Sequence, residues 1–183
     1  MSFDNQPFLS GKLVAIAPLT ADDFQPLYTA ASDPAIWAGH PVRDRYRREV
    51  FLTYHDFLLQ AGGTVVVRER GTQTVIGCSR YYVTPNRPYD IAIGFTFLVR
   101  AAWGGQVNFD LKRVMVDHAL GHFASVWFDI DPTNIRSQVA TSRLGEMHRY
   151  DAEIAIGAKP VLWKCYELTA AAWAATCAAR DAA

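Results

Sequence analysis

The sequence has few cysteines and no excess of charge of either sign. Cys78, Cys165 and Cys177 are widely spaced and show no metal-type pairing, so we expect reduced and mostly buried thiols. Lys plus Arg equals Asp plus Glu at 18 each. No net field therefore attracts the chain to nucleic acid or to anionic lipid, and we expect neither a nucleic-acid nor a membrane partner.

Long apolar runs and several catalytic fingerprints are also missing. No run approaches the roughly 20 residues that a membrane-spanning helix needs. The polar start also lacks a signal-peptide pattern, so we expect a cytoplasmic protein. Gly-x-Gly-x-x-Gly and Gly-x-x-x-x-Gly-Lys-Ser/Thr are both absent, which leaves dinucleotide redox chemistry and nucleotide hydrolysis without support. A Gly-x-Ser-x-Gly elbow is absent, and the His118/His122 pair has no evident third metal ligand, so we expect no metal.

What is present predicts one domain over residues 1–183. Half of the 183 residues are hydrophobic, enough for one sizeable core in a chain too short for two ordinary domains. Apolar spacing predicts helices over residues 24–31 and 46–60, one behind Gly105, a short one ending at Gly145, and one opening at Thr169. Strands are predicted over residues 13–19, 64–69, 74–83, 91–99, 126–130 and 162–168.

The most informative segment is a paired glycine between a strand and a helix. Residues 91–99 are apolar and β-rich, and apolar residues recur at helical spacing after Gly104 and Gly105. Glycines there allow backbone N–H groups to approach a ligand closely, and the helix N-terminus adds about half a positive charge. The pattern favours an anionic ligand such as a pyrophosphate. A strand-to-helix turn that merely needs glycine is the alternative.

A second segment, residues 131–145, reinforces the ligand interpretation. Together the two segments resemble the Gcn5-related N-acetyltransferase (GNAT) superfamily, and more narrowly the branch of ribosomal-protein N-terminal acetyltransferases with its small-molecule relatives. That branch has a strand, Trp-Gly-x-x-x-Asn, a helix with a Lys, a strand, Asn-x-x-Ser and a Leu-Gly helix end. The matching residues here are Trp103, Gly104, Asn108, Lys112, Asn134, Ser137, Leu144 and Gly145.

The resemblance implies an α+β fold with a central mixed, mostly antiparallel sheet, a splayed strand pair and helices on both faces. It also implies acetyl-CoA as co-substrate, with its pantetheine arm in the splayed gap. Phe97, Leu98 and Val99 occupy the matching strand, and a backbone N–H near Leu98 is expected to hold the oxyanion. The expected cofactor contacts continue through Trp103, Gly104, Gly105, Gln106, Val107, Asn108, Asn134, Ser137 and Arg143.

The residues expected to move protons depart from the family pattern. Many members of the branch carry Glu two residues before the strand glycine, but this chain has Ala92 before Gly94. Asp90 lies on the same strand face and is our candidate base, directly or through water; a solvated strand-end aspartate is the alternative. By resemblance Ser137 protonates the leaving thiolate or holds a water near it, and Asn134 contacts the pantetheine arm. Both residue types also commonly satisfy helix-end backbone groups.

Other positions leave the details of the two ligand sites open. In the broader superfamily, small residues stand where this chain has Gln106 and Asn108, so the glycine pair is displaced to 104 and 105. Arg136 and Arg143 are candidates for the outer phosphates. Trp37, Tyr82 and Ala92 are candidates for the acceptor pocket.

Two functions follow from the resemblance. The first is N-acetyl transfer to a small amine, amino acid or peptide N-terminus. The second is a non-catalytic acyl-CoA binding module, which the missing glutamate keeps open. A homodimer is expected because the apolar content is high for so small a chain and relatives in the branch often pair.

Overall fold

A computed structural model describes residues 2–156 and 160–182. The helices are α1 (Phe24–Ala31), α2 (Pro34–Trp37), α3 (Arg48–Ala61), α4 (Gln106–Leu120), α5 (Ile135–Ser142) and α6 (Ala170–Asp181). The strands are β1 (Leu9–Ser10), β2 (Val14–Pro18), β3 (Thr64–Glu69), β4 (Val75–Thr84), β5 (Arg87–Leu98), β6 (Ser125–Ile130), β7 (Met147–Ile154) and β8 (Val161–Thr169). Among these described helices, none has both the length and the apolar character needed to cross a membrane.

The described strands form one mixed sheet in the order β1-β2-β3-β4-β5-β6-β8-β7. Every neighbouring pair is antiparallel except β5 and β6, which run parallel. A parallel pair needs a crossover connection, and α4 provides it. This confirms the expected α+β fold and mixed, mostly antiparallel sheet.

Helices cover both faces of the sheet, as the alternation along β3 illustrates. Val65 and Val67 point to one face and belong to the same buried cluster as Leu111 of α4 and Trp173 of α6. Val66 points to the other face, where α1, α2 and α3 contribute a second cluster of apolar side chains: Leu27, Ala30, Ala31, Ile36, Trp37, Phe51, Tyr54 and Leu58. The sheet is therefore buried between two helical layers.

Most predicted elements are present, and the differences have local causes. The bounds of α1 and β3 are those predicted, while α3 begins two residues later than expected, at Arg48. The hairpin before β5 is tighter than predicted, so β5 already begins at Arg87. Sequence patterning missed β7, because it lies at the edge of the sheet and is almost entirely exposed.

Two smaller predictions can be compared with the structure. The thiols are free, as expected: Cys78 and Cys165 are buried and Cys177 is partly buried. His118 and His122 pack around Phe3 near the amino terminus, and His118 Nε2 lies 2.7 Å from the backbone oxygen of Asp4.

Candidate active site

The parallel strands β5 and β6 separate after a short paired stretch. Their register contains Ile91 opposite Val126 and Ala92 opposite Trp127, and the ladder ends there although both strands continue. Beyond these pairs, backbone groups on the facing edges of the two strands are available to a ligand. The sheet therefore has an open gap toward the carboxyl ends of β5 and β6, as expected for a splayed pair.

A β-bulge on β5 shapes one edge of this gap. Arg80 of β4 pairs with Gly94, and Cys78 pairs with Phe97, so β5 has one residue more than β4 between these positions. Phe95 takes a left-handed backbone conformation with φ of 53°. Because the extra residue reverses the alternation of side chains, Ile93 and Leu98 both belong to the core under α4 while Phe97 packs toward α2 and α3.

The backbone of Leu98 is oriented into the gap. The N–H of Val99 donates to the oxygen of Ile76 at 2.8 Å, which marks that pair as hydrogen-bonded across β4 and β5. In an antiparallel ladder the N–H groups of successive residues point to opposite sides. The residue before Val99, which is Leu98, therefore points its N–H away from β4. Its carbonyl accepts a hydrogen bond of 2.8 Å from Trp103 Nε1 on the same side. The Leu98 N–H, the oxyanion donor expected from the sequence, therefore faces the gap.

The turn that follows is open on its ligand side. Gly104 has φ of 66°, and a Cβ added there would meet no atom within 4 Å. Gly105 precedes the first turn of α4 and supplies no side-chain cap to its N–H groups. A small pocket at this turn is lined by the side chains of Asn108, Arg143 and Arg180. Donors and positive charge therefore converge on the paired glycines, as an anion site requires.

The opposite wall of the gap is formed by α5. Asn134 is the N-cap of this helix, and its side-chain oxygen accepts from the N–H of Ser137 at 3.1 Å. The helix-end role considered for Asn134 is therefore present, and both residues also line the cleft. Arg136 stacks over Trp103 at 4.1 Å and donates to the oxygen of Ile36 at 2.6 Å. Arg136 therefore joins the two walls while its side chain remains exposed to solvent.

A single continuous cleft of about 1240 Å³ runs from this turn past the gap to the far side of the sheet. Its far end is lined mainly by aromatic side chains: Trp37, Tyr54, Phe57, Tyr82, Phe95 and Trp163. Trp37 is fixed by a hydrogen bond of 2.8 Å from its Nε1 to the oxygen of Ala31. The same part of the lining also carries polar side chains, and the Arg45 guanidinium lies 3.9 Å from the ring centre of Tyr54. A ligand at the far end would therefore meet aromatic rings together with a cation.

A buried ion pair supports the aromatic end of the cleft. Arg87 donates to both carboxylate oxygens of Asp129 at 2.6 Å, and Tyr82 donates to the same carboxylate at 3.1 Å. Burial opposes the charge of Arg87, but the hydrogen bonds and charge of Asp129 outweigh it and raise its pKa. Burial and the neighbouring Asp129 also raise the pKa of Tyr82 well above its ordinary value. Tyr82 is therefore a neutral donor held in place by a carboxylate.

A second buried basic group, Lys112, lies at the gap itself. It is one helical turn after Asn108 on the inner face of α4 and is 7% exposed. Its Nζ lies 3.3 Å from Thr96 Oγ1 on β5 and 5.4 Å from the ring centre of Phe128 on β6. Burial lowers the pKa of Lys112 to about 8.

The structure brings most of the predicted site residues into one cleft. Those that line it are Trp37, Tyr82, Phe97, Leu98, Trp103, Gly104, Asn108, Asn134, Ser137 and Arg143. Gly105 lines the adjoining small pocket. Asp90, Ala92, Val99, Gln106 and Val107 lie outside both linings.

Lys112, Asp129 and Arg180 are among the residues of the cleft and its small pocket that received no role from the sequence. Lys112 entered the sequence analysis only as part of a motif, although a lysine on the apolar face of a helix is a visible signal. Asp129 carries a similar signal, since it interrupts the apolar strand 126–130. Arg180 reaches the glycine turn from α6, stacked on Phe109 at 4.0 Å, and no local pattern indicates this.

Comparison with known families identifies this arrangement. The model of the acetyltransferase (GNAT) domain matches residues 14–146, most of the chain. The chain belongs to the GNAT acetyltransferase family. Among curated proteins, none matches the sequence of this GNAT protein.

Solved structures share the fold at low sequence identity. A GCN5-related N-acetyltransferase from Brucella melitensis superposes with a TM-score of 0.82 at 14% identity, covering 99% of this chain and 86% of the other. Mycobacterium smegmatis RimJ, in complex with CoA-disulfide, gives 0.64 at 14% identity, covering 91% and 88%. The aminoglycoside acetyltransferase AAC(6')-Ib, in complex with coenzyme A and kanamycin, gives 0.63 at 18% identity, covering 89% and 98%.

Proposed function

We propose that this GNAT protein transfers an acetyl group from acetyl-CoA to a primary amine by direct attack in a ternary complex. The acceptor is a small molecule, an amino acid or a peptide N-terminus. The observation that carries the proposal is the continuity of the cleft, which joins an anion-binding turn, an opened strand pair and an aromatic pocket. These are the parts that a phosphate-bearing thioester and a second substrate require.

The residues at the turn fit the pyrophosphate of acetyl-CoA. Gly104 leaves open space, the first N–H groups of α4 have no side-chain cap at Gly105, and Arg143 and Arg180 line the adjoining pocket. An anion there would be bound by backbone donors, the helix dipole and two guanidinium groups.

The opened strand pair supports the chemical step. The amine nitrogen forms a bond to the acetyl carbon, the carbon–sulfur bond breaks, and the sulfur leaves with the electron pair. The Leu98 N–H points away from β4. It would donate to the carbonyl oxygen of the acetyl group, which is negatively charged after the amine attacks and before the carbon–sulfur bond breaks. Ser137, which lines the same cleft, is proposed to donate a proton to the departing sulfur and to regain one from water.

The amine must also lose a proton. Asp90 is outside the cleft lining, and Asp129 lies inside it but is already paired with Arg87 and Tyr82. We therefore favour ordered water as the carrier of this proton, with Asp90 as the alternative acceptor. If Asp90 acts, Asp90→Asn lowers turnover by roughly 10² or more with little change in CoA affinity. If water suffices, the loss is small.

The acceptor pocket favours an amine with an apolar or aromatic body. Its aromatic lining would bind such a body, and its buried carboxylate is neutralised by Arg87. We further propose that the protein belongs to the branch of ribosomal-protein N-terminal acetyltransferases, whose motif it resembles at Trp103, Gly104 and Asn108. Pairing of two chains is part of this proposal, and sedimentation of a monomer at micromolar concentration would contradict it.

The test combines CoA binding with turnover. Calorimetry should show CoA binding, and Gly104→Val should weaken it tenfold or more, because valine is strained at φ of 66° and its side chain would enter the ligand space. Gly62→Val is the matched control, because Gly62 has a similar φ of 64° and open surroundings but lies outside both linings. Unchanged affinity in folded Gly104→Val would refute the turn as the binding site.

Turnover is read as free thiol released from acetyl-CoA in a panel of aromatic amines, amino acids and peptides. Release that depends on the amine supports the transferase. Tight CoA binding without turnover on any amine would instead favour the acyl-CoA binding module, for which Ala92 is the sequence argument.

A further inference from the structure

Lys112 is a buried cation that has no anionic partner among the described residues. Its side chain is almost fully buried, and in the described part of the chain it hydrogen-bonds only to the neutral hydroxyl of Thr96. Within residues 2–156 and 160–182, no carboxylate forms a salt bridge with it. A buried ammonium with so little compensation is costly, since charge is expensive to remove from water unless it is paired.

The surroundings of Lys112 place its charge in the gap between the separated strands. Thr96 follows the bulge on β5, and Phe128 is one residue beyond the last paired residue of β6. The Nζ is close to both, so it spans the two strands at the point where they have parted. The nearby Asp129 lies on the opposite face of the sheet from Phe128. Its carboxylate is already paired with Arg87.

We propose that the Lys112 ammonium stabilises the CoA thiolate as it leaves, and is thus a catalytic residue of the transfer reaction. This inference rests on the proposed function, because it needs CoA in the cleft. Asn108 lines the phosphate end of the cleft. Further along the same helix, the Lys112 Nζ lies beside Thr96, two residues before Leu98, whose N–H is the proposed oxyanion donor. The thiolate that carries the electron pair of the broken carbon–sulfur bond then meets the positive charge that the protein otherwise leaves unpaired. Lys112 keeps its proton throughout, because the neighbouring thiolate favours the charged form of the ammonium and raises its pKa above that of the ligand-free protein.

The role differs from that proposed for Ser137. A hydroxyl donates a proton or a neutral hydrogen bond, whereas the ammonium supplies charge in a site of low dielectric, where charge acts more strongly. Lys112 and Ser137 line the same cleft from α4 and α5, respectively. Thiolate stabilisation can be measured at equilibrium with CoA alone, so no acceptor needs to be known.

The experiment titrates the thiol of CoA bound to the protein, using the ultraviolet absorbance of the thiolate. In the wild-type protein the bound thiol should titrate at least about one pH unit below that of free CoA, as expected beside an opposite charge. Lys112→Met, which keeps the length and apolar stem of the side chain, should abolish most of this shift. Lys12→Met is the matched control, because Lys12 is an exposed lysine outside the cleft lining.

A second measurement uses the wild-type protein and a CoA analogue that lacks the sulfur. Calorimetry should show that the preference for CoA over this analogue increases as the pH rises through the thiol's titration, and that Lys112→Met loses the increase. This comparison remains informative if the variant folds poorly, since the wild-type preference is itself a required result.

The outcomes separate the two proposals. If CoA does not bind, the proposed function fails. If CoA binds to the wild-type protein with an unshifted thiol, or if folded Lys112→Met retains the full shift, the role of Lys112 is refuted while CoA binding stands. Acetylation of Lys112 by acetyl-CoA, detected by mass spectrometry, would also overturn the proposal, because acetyl-lysine carries no charge.

Discussion

Arg87 and Lys112 are two buried cations on opposite faces of the same sheet, and their surroundings differ. Arg87 has a carboxylate partner in Asp129 and a further hydrogen bond of 2.9 Å to the Tyr150 hydroxyl. Among the residues that the structure describes, Lys112 has one hydrogen-bond acceptor, the neutral hydroxyl of Thr96. Burial alone acts on Lys112 and lowers its pKa below the ordinary value. At Arg87 the interaction with Asp129 outweighs burial, so the pKa is raised above the ordinary value.

The comparison separates a charge used for structure from a charge open to a ligand. The Arg87–Asp129 pair orients Tyr82, and the Arg87 guanidinium stacks on Trp127, with its carbon 4.2 Å from the ring centre. The pair therefore fixes side chains at the acceptor end of the cleft. Lys112 holds no comparable group. A site that stabilises developing negative charge needs an unpaired cation such as Lys112. A cation already paired with a carboxylate stabilises the transition state less.

Breaking the paired charge should have the largest effect. Asp129→Asn removes the negative charge and leaves the Arg87 guanidinium buried without compensation. We expect the free energy of unfolding to fall by about 3–5 kcal/mol, measured by urea denaturation.

The exposed pair Arg113–Asp181 is the matched control, and Asp181→Asn should have a much smaller effect because solvent screens that pair. Pairing Asp129→Leu with Arg87→Met should recover much of the stability lost in Asp129→Leu alone. A loss below about 1 kcal/mol in Asp129→Asn would contradict a tightly coupled buried pair.

Removing the unpaired charge should have the opposite sign. Lys112→Met relieves the cost of a buried ammonium, so we expect stability at neutral pH to rise by about 1–3 kcal/mol. Because the folded-state pKa of Lys112 is lowered to about 8, the wild-type protein gains stability as the pH rises from about 8 toward the unfolded value of 10.5. The advantage of the variant should therefore shrink over that range.

Denaturation curves across that pH range provide the measurement, with Lys12→Met as the control for loss of one surface charge. A variant that is less stable than wild type at every pH would show that Lys112 contributes more through Thr96 and packing than its burial costs.

Local patterns explain what the sequence could predict. Helix α1 and strand β3 have clear periodicity and flanking signals, so their bounds were predicted correctly. The glycine turn before α4 and the Asn134 cap of α5 depend on residues within one short segment each, and both lie where the motifs placed them. The resemblance added what periodicity does not contain, the opened strand pair.

Features that depend on distant residues escaped prediction. Arg87 and Asp129 are 42 residues apart, and nothing in either segment specifies the other. The bulge at Phe95 uses a positive φ without glycine, so it has no local signature. Whether Asp90, Ala92 and the glycine pair act as proposed depends on substrate geometry that spacing along the chain cannot provide.

The smallest predicted effect concerns Glu146, an anionic counterpart to Lys112. Burial raises the pKa of its carboxyl group to about 7, and within the described chain its Oε2 has no hydrogen-bond partner. Because the folded-state pKa is raised, protonated Glu146 stabilises the folded protein. This contribution to the free energy of unfolding is fully present below pH 4.5 and is lost as the pH rises through about 7. Glu146→Gln should therefore match the wild-type melting temperature in acid and exceed it slightly above pH 7, because the residue is only half-buried. Thermal melts on both sides of that range test this, with exposed Glu153→Gln as control for the lost charge. Equal changes in the two variants would show that an unpaired charge matters here only at full burial, as at Lys112.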